Sequence, residues 1–266
     1  MPAMSMRETV KAMAGKAAAT LSPQCRFDRA IFIIAHMRCG STALSNILCT
    51  RPDVSGYGES HVRFNSREAL GRLVVNQALR NAWKPRAHHL FDKILHNRHD
   101  AAAPEEFYQA RAIFVARSPG AAIRSIRALY NGLGRDEYGT DHLAAQYYLS
   151  RLDAMQASWE RFAPDRRIGL THAALIENPD AALARISQGL SITPALENRY
   201  ESLSASRKGG GGDPTASGRY TRIEPLTGTP KPDPVEALEI PDSQRRAVQK
   251  AYADFTALLK ESATPE

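Results

Sequence analysis

The chain has 266 residues, with 35 Lys and Arg against 28 Asp and Glu, which gives a net charge of +7. That length can bury a substantial core, and no stretch approaches the roughly 18 to 20 apolar residues of a membrane span, so an integral membrane helix is excluded and a soluble α/β domain is expected. The basic excess suits a polyanionic cofactor or an acidic partner, without choosing among nucleotide, nucleic acid and membrane surface. Cys25, Cys39 and Cys49 are odd in number and lack the paired spacing of zinc sites, which reads as free thiols in a reducing, cytoplasmic compartment.

Residues 1–26 contain no continuous hydrophobic stretch of secretory-signal length and read as a flexible N-terminal extension. The alternative for Met4 to Leu21 is a short basic amphipathic helix. A single domain is expected over residues 27–266.

The first element inside it is an apolar run, Ala30 to Ala35, predicted as a strand. It breaks into His36-Met37-Arg38-Cys39-Gly40 and resumes with helical spacing from Ser41 to Cys49. Amides at a helix N-terminus point outward and the helix dipole favours negative charge there. Arg38 to Thr42 therefore offers an anion a cation, two hydroxyls and several N–H donors. The usual nucleotide phosphate loop, GxxxxGK[ST], is not matched. Ala35 stands where the first Gly belongs and Ser41 where the Lys belongs, while the cation precedes the glycine, as Arg38.

Further along, periodicity predicts helices over Arg67 to Ala82, Ala121 to Leu129, Asp141 to Phe162, Pro179 to Leu190 and Asp242 to Lys260. Strands are predicted over His89 to Leu95, Ala112 to Ala116 and Arg167 to Thr171. Thr227 to Pro234, rich in Pro, Gly and Thr, reads as loop. Alternating elements of this kind predict a central parallel sheet flanked by helices on both faces. Its ligand would lie beyond the C-terminal strand ends, where Arg38, Lys93 and Arg117 fall.

The order basic-x-Gly-Ser/Thr-Thr after a strand resembles the phosphosulfate loop of sulfotransferases that use 3′-phosphoadenosine 5′-phosphosulfate (PAPS). Two further segments fit that family in its sequence order. Arg117 ends an apolar run and Ser125 follows eight residues later, and Ser206-Arg207-Lys208-Gly209-Gly210-Gly211-Gly212-Asp213 looks like its RKGxxGD element. The resemblance implies the phosphate-loop-like sulfotransferase fold, PAPS as cofactor with 3′-phosphoadenosine 5′-phosphate (PAP) as product, and no integral membrane association. It implies cofactor contacts from Arg38, Cys39, Gly40, Ser41 and Thr42, with Arg117, Ser125, Arg207, Lys208 and Gly209 on the 3′-phosphate. Lys93 resembles a second family cation that contacts the transferring sulfuryl group. A small molecule, a lipid or a sugar could accept it, and oligomeric state is left open.

Sulfuryl transfer also needs a base. Pro52-Asp53-Val54 followed by Glu59 looks like the carbohydrate- and lipid-type branches, in which a Glu deprotonates the acceptor. The aryl branch instead uses a His two residues after a strand-end Lys, where this chain has Leu95, with His96 one residue further. His61 is a third candidate, because imidazole titrates near neutrality. Among the histidines, His88 and His89 are adjacent and would face opposite sides of a strand, and His96 and His99 follow no zinc motif, so no metal is expected. Two other classes stay open: a phosphate-loop kinase with Asp92 at a metal-binding strand end, and a non-catalytic nucleotide- or nucleic-acid-binding module. The kinase lacks the loop Lys, and the binding module would need aromatic residues interleaved with the cations, of which the basic motifs contain few. No nucleic-acid partner is expected.

Overall fold

The computed structural model describes residues 6–201, 220–227 and 234–261. The RKG element, with Arg207, Lys208 and Gly209, lies outside the described residues, as does most of the 227–234 loop. Five strands form one parallel sheet in the order β2-β3-β1-β4-β5, where β1 is Ala30–Ala35, β2 Val54–Ser55, β3 His89–Ile94, β4 Arg111–Ala116 and β5 Arg167–Thr171. Val54 pairs with His89 and Ser55 with Leu90 in parallel register. Every residue of β1 is buried, and β4 is buried from Ala112 onward. A parallel sheet covered on both faces requires such unbroken apolar runs in place of alternation. The four longer strands lie where their sequence runs predict. β2, two residues long, has no detectable period.

Contacts divide the chain into two compact units. The first comprises Met1–Ile33, Thr42–Ala112 and Arg199–Arg222, and the second Ile34–Ser41, Ile113–Asn198 and Ile223–Glu266, so the division falls within β1 and β4. In the first unit, helix α1 (Met6–Leu21) packs on α3 (Glu68–Leu79). Of the two readings the sequence offers for this segment, a flexible extension and a short helix, the helix is found, docked on α3. The contact is glycine-dependent: a Cβ on Gly71 would lie 1.8 Å from the Gly15 carbonyl oxygen, so only glycine admits this approach. The core beside it is aromatic, with Phe32 stacked on Phe107 at 4.7 Å and tilted against Phe64 at 4.9 Å.

In the second unit, Phe114 of β4 contacts Trp159, Phe162 and Phe255 at 5.0, 5.9 and 6.4 Å. Helix α4 (Pro119–Gly132) starts with Pro at its first turn, which lacks the N–H that would be orphaned there, and buries Ala122, Ile123, Ile126 and Tyr130 at helical spacing. The Thr140 hydroxyl caps α5 (Asp141–Arg161) by accepting from the Leu143 amide. β5 leads directly into the six-residue helix α6 (His172–Glu177), too short for periodicity to reveal. Thr171 caps it, and Asn178 caps the following α7 (Pro179–Gly189). The last helix, α8 (Asp242–Glu261), packs on α5 and β5.

Candidate active site

In the second unit, β1 ends at Ala35 and the basic loop turns on two left-handed residues, Arg38 with φ of 64° and Gly40 with φ of 86°. Gly40 is needed twice over: a side chain there would be strained by the backbone and would meet the His172 ring at 2.9 Å. The Arg38 Nε donates to the Ser125 hydroxyl of α4 at 2.9 Å, while the Arg117 guanidinium donates to the Arg38 carbonyl at 3.0 Å. Three residues assigned from separate motifs thus meet through one arginine. Burial first, and the neighbouring Arg38 charge second, lower the Arg117 pKa. Two guanidinium groups held this close leave a local excess of positive charge, an arrangement that an anion relieves.

The loop is fixed by side chains that sequence reasoning missed. Buried His36 bridges the strand ends: its Nδ1–H donates to the Met37 carbonyl at 2.7 Å and its Nε2 accepts from the Arg117 amide at 2.9 Å. These partners need the neutral ring, and burial agrees by pushing the His36 pKa down to about 4. From α5, the Tyr147 hydroxyl accepts from the Met37 amide, Tyr148 donates to the Arg117 carbonyl, and fully buried Arg151 donates to the Ala35 carbonyl at 3.0 Å. His172, at the start of α6, is likewise lowered to about 4, by burial and then by Arg117. Cys39 is fully buried, and Ser41 is buried as the first residue of α2 (Ser41–Thr50). The first amides of α2 have no acceptor within their own helix.

In the first unit, buried Lys93 closes on the next residue of that helix, its Nζ donating to the Thr42 hydroxyl at 3.2 Å. The preceding residue, Asp92, fixes the segment that carries Glu59. Its two oxygens accept from the Ser60 amide at 2.9 Å, the Ser60 hydroxyl at 2.5 Å and the Lys93 amide at 2.9 Å, while the Lys93 amide also reaches the Gly58 carbonyl at 3.1 Å. Burial, above all, raises the Asp92 pKa to about 7. Committed to these donors, Asp92 is badly placed for the metal-binding role a kinase would give it.

Glu59 is buried at the next turn, and the His61 Nδ1 lies 3.4 Å from its Oε1. His61 adopts a left-handed φ of 57°. The His99 ring, buried in the short 3₁₀ turn Asn97–His99, is 5.7 Å from that of His61 and 6.2 Å from that of half-buried His96. Glu59, His61 and His99 each bring one ligand-type atom within 4.8 Å of the others. The sequence does not link His99 to Glu59, because 40 residues that include a helix and a strand separate the two.

Residues 64–194 match the family model described as the sulfotransferase family. No curated protein matches the chain in sequence. Among solved structures, it is similar to the sulfotransferase domain from the curacin biosynthetic pathway at 16% identity and a TM-score of 0.58, covering 85% of this chain and 96% of that one. It is similar to the sulfotransferase domain of the Synechococcus PCC 7002 olefin synthase at 19% identity and a TM-score of 0.58, covering 85% and 94%. A mouse sulfotransferase complexed with PAP gives 14% identity and a TM-score of 0.52 over 96% and 95%. The sulfotransferase family model thus matches residues 64–194, and the chain shares the fold of solved sulfotransferases.

Proposed function

We propose that the protein transfers a sulfuryl group from PAPS to a hydroxyl or amine of a small-molecule, lipid or sugar acceptor, with Glu59 as the general base. The observation that carries this reading is the meeting of Arg38, Arg117 and Ser125, since it gathers two cations and a hydroxyl from the two motifs expected to hold the cofactor's phosphates. A relative of the same fold is complexed with PAP, which supports the nucleotide assignment. In this reading Arg117 and Ser125 bind the 3′-phosphate, as would Arg207, Lys208 and Gly209, and the 38–42 loop holds the phosphosulfate.

Glu59 accepts the acceptor's O–H or N–H proton as the new bond to sulfur forms. The bond from sulfur to the 5′-phosphate oxygen breaks, and the departing negative charge falls to PAP. Arg38 and Lys93 stabilise that charge. Arg38 does so electrostatically, because a guanidinium with a pKa above about 12 is no proton donor at working pH. Glu59 has a buried carboxylate on a segment pinned by Asp92, whereas His61 is exposed, and this favours Glu59 over His61 as base.

The experiment is a thermal-shift comparison of PAP, ATP with magnesium and a single-stranded oligonucleotide, followed by an acceptor screen with PAPS read by mass spectrometry for an added sulfuryl group. Stabilisation by PAP above the others, with at least one sulfated acceptor, is the expected result. Preference for ATP with magnesium points to the kinase class, and preference for the oligonucleotide to a binding module.

A further inference from the structure

We propose that Glu59, His61 and His99 form a binding site for one divalent transition-metal ion of the zinc type. The three residues come from two segments, both anchored independently of any ion. Ser60, between Glu59 and His61, is held by Asp92 through its amide and hydroxyl, and the His99 carbonyl accepts from the Phe64 amide at 2.8 Å. The backbone therefore delivers the donors to one place before a metal arrives. Their ligand atoms lie within 4.8 Å of one another, and the Glu59 to His61 separation is 3.4 Å. Ligands bound tetrahedrally at about 2.0 to 2.1 Å stand roughly 3.4 Å apart, so this pair has the required spacing as it stands.

The third donor, on His99, lies within 4.8 Å of the other two, so binding an ion would draw the side chains closer, and His61, whose side chain is 41% exposed, has room to adjust. The Arg98 Nε contact to the His99 Nε2 is long, at 3.4 Å, and comes from an exposed arginine that can give it up. Two imidazoles and one carboxylate are borderline donors that select zinc, cobalt or nickel over magnesium or calcium, which take oxygen ligands.

Three protein ligands leave a tetrahedral ion with one open position. A bound ion would also occupy the carboxylate that removes the acceptor's proton, so zinc should inhibit sulfuryl transfer. That consequence rests on the proposed role of Glu59, whereas the site itself does not.

The test is a titration of the full chain, stripped with chelator, with zinc and separately with magnesium, followed by competition against a zinc indicator. One equivalent of zinc should bind, with affinity at least about tenfold weaker in His61→Ala and in His99→Ala, unchanged in His142→Ala, and far above that for magnesium. His61 is exposed, so its variant should keep the parent melting temperature, and loss of binding there cannot be ascribed to unfolding. Unchanged zinc affinity in His61→Ala, or the failure of native protein to bind an equivalent, would overturn the site. If zinc binds as expected and no acceptor is ever sulfated, the site stands and the transferase reading falls.

Discussion

The two units gather different ionisable groups, and each arrangement suits a different visitor. In the second unit Arg38 and Arg117 share a hydrogen-bonded loop while the nearby His36 and His172 are held neutral by burial, so the unbalanced charge is positive and an anion completes it. In the first unit two carboxylates, Glu59 and Asp92, are buried, and burial above all, with Glu59 a lesser cause, raises the Asp92 pKa. A proton or a cation relieves the cost of burying that charge. On the proposed function the region around Arg38 and Arg117 binds the cofactor and the region around Glu59 takes the acceptor's proton, so substitutions in the two should separate affinity from turnover.

The sharpest separation is expected at Glu59. Glu59→Gln keeps the shape and removes the basicity, and should lower single-turnover sulfuryl transfer about 10²- to 10⁴-fold with PAP affinity nearly unchanged. Near-parent activity in that variant, with collapse in His61→Ala or His96→Ala, would move the base to a histidine. Next comes Arg38→Ala, expected to cut turnover by at least about 100-fold through lost charge stabilisation, with Arg38→Lys retaining part of it. Intact turnover in a folded Arg38→Ala protein would break the comparison on the cationic side.

A smaller effect belongs to Asp92, which touches no substrate in this account and acts by holding Ser60 beside Glu59. Asp92→Asn should lower kcat roughly three- to tenfold, the worth of about one hydrogen bond, and leave PAP affinity alone. Equal loss in both would show that Asp92 supports the fold and not the base.

A further effect concerns stability and leaves turnover aside. Native His36 has a pKa near 4 against about 6.5 in the unfolded chain, so between these values the unfolded state binds more protons and stability falls as pH drops from 6.5 toward 4. The fall attributable to His36 is at most about 3 kcal/mol. Denaturant unfolding of His36→Gln should start from lower stability at pH 7 and show a shallower decline; an identical slope would mean that His36 is not the group responsible.

Legibility in the sequence followed locality. β1, β3, β4 and β5 were readable because full burial leaves unbroken apolar runs, and α4, α5 and α8 because their buried residues recur at helical spacing. The helix α1 was one of two readings of its segment, but its seat on α3 was not legible, since it depends on Gly15 and Gly71, which carry no hydrophobic signal. Arg38, Arg117 and Ser125 sit in short motifs and could be nominated. The residues that hold them, Tyr147, Tyr148 and Arg151, reach the strand ends from α5 through contacts to backbone atoms, which leave no pattern in composition or period. The bonds from Ser60 to Asp92 and the approach of His99 to Glu59 were hidden for the same reason.

The central claim is that the cationic unit reads a 3′-phosphate, and calorimetric titration with PAP and with AMP, which differ by that group alone, tests it most directly in the parent chain and in Arg117→Ala. The parent should bind PAP at least about tenfold more tightly than AMP. Arg117→Ala should lose about 1.5 to 3 kcal/mol toward PAP and little toward AMP, the worth of a charge-assisted contact to phosphate. Equal affinity of the parent for both nucleotides, or equal losses for both in Arg117→Ala, would contradict the account.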